Sequence, residues 1–200
     1  MLGSLSGVRH KVCAVSLVMG FAVLASLPAA GQESHSGDAA ISPARQAMDR
    51  LAMIDGEWRG TATYWRGGEA LEVVHTERVG TMLDGSVRVI EGRSYLPDGS
   101  SPFNAFAVVS FDAQSGGYMM RSYTLHGAGD VEMDVSENGF SWSIGEGARA
   151  VEYVATIDGD HWIETGYRKG SDGEKVKFIE MDLRRVGETD WPAGDPVSPE

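Results

Sequence analysis

The sequence predicts an all-β domain: a closed antiparallel up-and-down barrel of about ten strands, with one short N-terminal helix capping an end. Three observations predict it. From Trp58 to Arg185, short segments rich in valine, tyrosine, phenylalanine and threonine succeed one another with no second run at helical spacing. Turn dipeptides separate them: Gly67-Gly68, Asp84-Gly85, Asp98-Gly99, Gly116-Gly117, Asn138-Gly139, Asp158-Gly159 and Asp172-Gly173. Asp-Gly and Asn-Gly suit tight hairpins, whose two central residues need positive φ. Within the segments apolar and polar residues alternate, the period of a half-buried strand.

The chain opens with Arg9, His10 and Lys11, then the apolar run Val12 to Leu27, then the small residues Ala29-Ala30-Gly31. This is the layout of a secretory signal, too short for the roughly 20 apolar residues of a membrane helix. Residues 1–31 are therefore expected to be a signal peptide cleaved near Gly31, and the mature protein to be periplasmic or secreted. The single cysteine, Cys13, lies near the start of the apolar run rather than just past it, so neither a lipid anchor nor a disulfide framework is expected. Loss of Arg9 and Lys11 takes the balance of 17 basic and 29 acidic residues from −12 to −14. That sign disfavours nucleic acid and an anionic membrane surface as partners.

Residues 32–41 read as a polar linker. Ser42-Pro43 then marks a helix start, a hydroxyl cap followed by proline at the first helical position. Ala44, Ala47, Met48, Leu51 and Ile54 give the helix one apolar stripe before Asp55-Gly56 ends it. Strands are expected near 58–65, 70–79, 86–95, 103–111, 118–125, 131–136, 140–144, 149–157, 161–168 and 175–185, completing a barrel domain over 42–186. Closure of such a meander removes exposed sheet edges. Phe103, Ala105, Ala107, Val109 and Phe111 share one face of their strand, as do Val151, Tyr153, Ala155 and Ile157, and Ile179, Met181 and Leu183. Residues 187–200 carry three prolines and four acidic residues and read as a disordered tail in which Trp191 has no evident packing role.

His75 and Glu77 stand two apart on one strand, so they share a face and suit an acid/base pair or two metal ligands. A usable metal site needs a third ligand that the spacing does not supply. Glu91 and Arg93 share a face with Val87 and Val89, Arg121 shares one with Tyr123, and Glu164 lies between Trp162 and Gly166. Turned inward, they would form a polar cluster that orients a small ligand inside an apolar barrel; turned outward, they would be cross-strand ion pairs. The candidate ligand contacts are His75, Glu77, Glu91, Arg93, Arg121, Tyr123, Trp142 and Glu164. No phosphate loop, dinucleotide fingerprint, nucleophile elbow or zinc motif is present.

A helix followed by Gly56-x-Trp58-x-Gly60 at the opening of a ten-strand run resembles the calycin superfamily of lipocalins, fatty-acid-binding proteins and nitrobindin-like haem barrels. The closer resemblance is to the bacterial family catalogued as domain of unknown function 1579. It rests on Thr76-Glu77, Met82-Leu83-Asp84-Gly85, Glu91-Gly92-Arg93, Ala105-Phe106-Ala107 with Phe111-Asp112, Gly139-Phe140-x-Trp142, Trp162-x-Glu164-x-Gly166, and Phe178-x-Glu180-Met181-x-Leu183-Arg184-Arg185. The calycin likeness implies that Trp58 is a structural residue covered by a basic side chain from the last strand, here Arg185. No cofactor is predicted. One histidine suffices as a haem ligand, but the nitrobindin-type haem histidine has no counterpart here.

Three functions fit these readings. The first is an exported barrel binding a small hydrophobic or amphipathic molecule. The second is an envelope hydrolase or isomerase using Glu77 or Glu91 with His75. The third is a solid barrel acting through its surface.

Overall fold

Ser42 and Pro43 start the helix as their types dictate. The Ser42 hydroxyl accepts from the Arg45 N–H at 3.1 Å, and Pro43 opens helix α1, Pro43–Met48. The chain then tightens into a 3-10 segment, Asp49–Ile54, where a uniform three-turn α-helix is expected from the sequence. The apolar residues explain the change. Met48, Leu51 and Ile54 fall three apart, and three-residue spacing aligns side chains on a 3-10 helix. All three are fully buried.

The structure is a computed structural model that describes residues 42–170, 173–194 and 197–198. The expected signal (1–31) and linker (32–41) lie outside the described residues. Ten strands follow the helix: β1 Gly56–Arg66, β2 Glu69–Met82, β3 Val87–Tyr95, β4 Phe103–Asp112, β5 Gly117–Thr124, β6 Gly127–Val135, β7 Gly139–Ile144, β8 Val151–Asp158, β9 His161–Lys169 and β10 Lys175–Gly187. Each pairs antiparallel with its successor, and β10 returns to β1, closing an all-β barrel. Strand β6 begins four residues before the expected position. Gly127 to Asp130 lack β-formers, but pairing with β5 (Ala128 opposite Tyr123, Asp130 opposite Arg121) recruits them.

One end of the barrel is solid. Met48, Leu51 and Ile54 pack into a core with Trp58, Val79, Val109, Tyr118, Met133, Phe140, Ile157, Trp162 and Leu183. Helix termini leave carbonyls without partners, and here barrel side chains donate to them. Tyr118 Oη donates to Ala47 O at 2.8 Å, Trp58 Nε1 to Ile54 O at 2.8 Å and Arg185 Nη2 to Met53 O at 2.9 Å. Arg185 Nη1 donates to Asp55 O and Arg88 Nη1 to Met48 O. Arg88, buried, also forms a two-point ion pair with the Asp55 carboxylate at 2.8 and 2.9 Å.

Trp58 and Arg185 face each other across the β1–β10 seam, with the guanidinium 4.2 Å from the indole centroid. Trp58 is 1% exposed and meets Trp162 edge-on, their centroids 5.6 Å apart.

Strand β3 turns the opposite way from an inward Val87, Val89, Glu91 and Arg93. Arg88 and Ser94 are buried, and Ile90 and Gly92 line the interior. Val89 is buried all the same, because the barrel is covered outside at this point. It pairs with Gly80, where a Cβ would meet the Trp191 carbonyl at 1.7 Å. Trp191 is half buried, and the Arg78 guanidinium stands 4.2 Å from its ring. The chain after β10 thus packs on the outer wall as far as Trp191.

The planar fork of Arg185 donates to Met53 O, Asp55 O and the Asp160 carboxylate at once, a geometry that a lysine cannot match. Arg185→Lys is expected to lower stability by about 1–3 kcal/mol, read as a lower urea midpoint at unchanged m-value.

Candidate functional site

The open end of the barrel holds a cavity of about 570 Å³. Its position follows from side-chain size. Phe140 and Trp162 form the floor above the packed end, while Gly92, Ala105, Ala107, Ser122, Ala128 and Gly129 leave the walls thin. The remaining lining is largely aromatic and aliphatic, with Trp142 stacked on Tyr153 at 4.0 Å between centroids and 8° between planes.

Glu77 is the ordered polar feature of this cavity. His75 Nε2 lies 2.9 Å from Glu77 Oε1, and His75 Nδ1 lies 2.7 Å from Ser94 Oγ. With Glu77 ionised, the Nε2 proton donates to the carboxylate and Nδ1 accepts from the serine hydroxyl. Ser94 and His75 are buried, so the chain orients the carboxylate rather than offering a nucleophile. Both imidazole nitrogens are engaged, leaving His75 no lone pair for a haem iron. Gly92 makes room opposite: a Cβ there would stand 2.5 Å from Glu77 Oε1. Glu77 Oε2 is buried with no partner.

Glu164 reaches the same cavity from β9. Burial pushes its carboxyl up to about 8, and the charge of Glu77 adds to the rise. The adjacent Trp162 side chain pulls the other way, weakly, since Trp162 Nε1 has no partner at hydrogen-bonding geometry. Near neutrality Glu164 is mostly protonated beside Glu77, the outcome expected when two carboxyls share one largely apolar cavity. Burial raises the Tyr153 phenol to about 12, with Glu164 and Tyr64 contributing.

Of the candidate contacts, His75, Glu77, Trp142 and Glu164 line this cavity. Glu91, Arg93, Arg121 and Tyr123 do not: they lie on the outer wall. Glu91 pairs with Arg78 at 2.6 Å and with Arg93 at 3.3 Å. Arg121 pairs with Asp130 at 2.8 Å, both half exposed, and donates to Tyr123 Oη at 2.9 Å. Parity on β3 and β5 leaves the inward face undecided, and the outward one carries these charges. Of the two carboxyls expected as a general base beside His75, Glu77 therefore stands there and Glu91 does not.

Sequence reasoning missed Ser94, Gly92, Tyr64 and Tyr153. The first two were within reach. Counting outward from the Asp84-Gly85 turn places His75 opposite Ser94 and Glu77 opposite Gly92, as the register has them. Among the described residues no group of three or more His, Cys, Asp or Glu is placed to hold a metal ion.

Gly92→Ala should destabilise the fold by about 1–3 kcal/mol through overpacking. In a double-mutant cycle with Glu77→Ala, which removes the obstructed carboxylate, the combined loss should be smaller than the sum of the single losses. Glu164 carries a pH signature. Below pH 4.5 the group is protonated folded and unfolded alike; between 4.5 and about 8 only the unfolded chain ionises. Stability should fall as pH rises through that window, by up to about 1.4 kcal/mol per unit. Urea midpoints from pH 5 to 8 should show this slope, and Glu164→Gln should flatten it.

Comparison with known proteins supports the fold without naming an activity. No functionally curated protein matches the sequence. The crystal structure of Rv2717c from M. tuberculosis aligns over 72% of this chain and 98% of its own, with a TM-score of 0.53 and 13% sequence identity. At that identity the likeness speaks for the barrel alone. Residues 44–185, spanning the helix and all ten strands to the Arg185 clamp, match the family described as protein of unknown function (DUF1579), and the chain belongs to it.

Proposed function

We propose that the mature chain is an exported barrel that takes up a small, partly apolar molecule through its open mouth and holds the polar end of that molecule at Glu77 and Glu164. One observation carries the reading. The interior is a cavity of about 570 Å³ with largely apolar walls, and two buried polar atoms in it, Glu77 Oε2 and Trp162 Nε1, lack partners in the protein. The volume lies within the roughly 300–1,000 Å³ of small-molecule sites, which combine apolar walls with a few placed polar groups. A buried polar atom without a partner costs about 1–3 kcal/mol, and a ligand that supplies one recovers it. Export is supported by the basic head, apolar run and small residues of the first thirty-one positions. Among the described residues no helix is long and apolar enough to cross a membrane.

The cavity volume weighs against a solid barrel. An acid/base function would now rest on Glu77 with Glu164, whose carboxyl is pushed up to about 8 by burial.

Native mass spectrometry of the protein purified from the export compartment should show a small-molecule adduct, and a bare mass on repeated preparation would argue against a resident ligand. The neutral fluorophore N-phenylnaphthylamine should brighten on binding. Ala105→Phe, which fills the cavity from β4, should weaken that binding roughly tenfold or more while the far-ultraviolet circular dichroism stays unchanged. Unaltered binding by this variant would place the probe outside the barrel.

A further inference from the structure

We infer, building on the ligand-binding reading above, that the polar end of the ligand is a monocation, a protonated amine on an otherwise apolar molecule, held by the Glu77 and Glu164 carboxyls. The charge inventory of the cavity leads there. Its lining carries two acids, Glu77 and Glu164, and two histidines, His75 and His126, with no lysine or arginine among the described residues. The arginines nearest in the fold are committed elsewhere. Arg88 and Arg185 are tied to the helix carbonyls at the sealed end, and Arg78 and Arg93 to Glu91 outside. A carboxylate or phosphate head would enter a largely apolar space lined by two carboxyl groups and no fixed cation to neutralise it, a severe cost. An ammonium meets the opposite situation.

The acceptors are prepared for it. His75 fixes Glu77 through Oε1 and leaves Oε2 buried without a partner, so one carboxylate oxygen has hydrogen-bonding capacity unused. The same cavity is lined by the rings of Tyr64, Phe140, Trp142, Tyr153 and Trp162, and aromatic rings attract a desolvated cation. Apolar walls toward the mouth, including Phe103, Ile144 and Phe178, suit the hydrocarbon body.

Binding then has a proton consequence. The ammonium enters charged, the Glu164 O–H bond breaks, its proton leaves to solvent, and the carboxylate that remains pairs with the nitrogen. Ionised Glu164 is also the better acceptor for the partnerless Trp162 N–H beside it. The titratable groups facing Glu164 are Glu77 and His75 from β2, Tyr64 from β1 and Tyr153 from β8, with His126 at the rim; from β10 come only Phe178, Ile179 and Met181. Tyr153, raised to about 12, keeps its proton throughout.

The test is calorimetric titration of the mature protein with decylamine, decanol and decanoate below their micelle concentrations, at pH 7 in phosphate and in Tris. Decylamine is expected to bind roughly tenfold or more tighter than decanol, and decanoate weakest. The heat difference between buffers should report release of close to one proton per amine. Glu164→Gln should abolish that release, and Glu77→Gln should weaken the amine more than it weakens decanol. Decanol or decanoate binding as tightly as the amine, or a proton release that survives Glu164→Gln, overturns the cationic head group and leaves the carrier reading standing. Failure of all three to bind removes both.

Discussion

The structure depends on how the end of a short helix is satisfied inside a barrel. The carbonyls of Ala47, Met48, Met53, Ile54 and Asp55 face a region filled by Trp58, Leu183 and Val79, where water cannot serve them. Tyr118, Arg88, Trp58 and Arg185 donate to them instead. These four side chains come from β5, β3, β1 and β10, so one set of bonds fixes the helix and ties distant strands together. Arg185 has a further role. It lies on the strand that closes the barrel, against the indole of the strand that opens it, and so links the seal of the seam to the plug of the end.

The same arrangement shapes the open half. Interior cations are concentrated at the sealed end, where carbonyls and Asp55 neutralise them. The carboxyls that face the cavity are left without a cationic partner. One of them, Glu77, is fixed in place by a hydrogen-bond chain through His75 to Ser94; the other, Glu164, is pushed up to about 8 by burial and keeps its proton near neutrality. Charges that the sequence scatters along β2, β3 and β5 pair on the outer wall, where solvent makes each pair worth little to stability while the charge aids solubility. A hollow, weakly anionic chamber above a solid, cation-rich base is the physical result.

Much of this was legible before folding. Hairpin dipeptides located the turns, and the inward faces of β4, β8 and β10 followed from alternation, with Ala105, Ala107, Tyr153, Ile179 and Met181 all lining the cavity. The His75–Glu77 pair was readable from a spacing of two. Strand β3 was harder. Its two faces, Val87-Val89-Glu91-Arg93 and Arg88-Ile90-Gly92-Ser94, are both mixed, and the outward valine is buried by a chain segment that arrives from Trp191, a hundred residues later. The helix changed type for a related reason: packing against the barrel aligned Met48, Leu51 and Ile54 more tightly than an α-helix allows.

The sequence by itself determined the strand count, the turn positions, the capping helix, and the pairing of the first tryptophan with the last arginine as an expectation of the calycin pattern. The first three rest on local chemistry, namely φ at the turns, a hydroxyl and a proline at the helix start, and a period of two; the last rests on the resemblance. Only the tertiary structure decided which face of β3 and β5 points inward, how much space small residues leave at the open end, and which carboxyl keeps its proton. Alternation separates two faces but carries no sign for inside. A proton affinity is set by groups that closure brings together from β2 and β9, eighty-seven positions apart along the chain at Glu77 and Glu164.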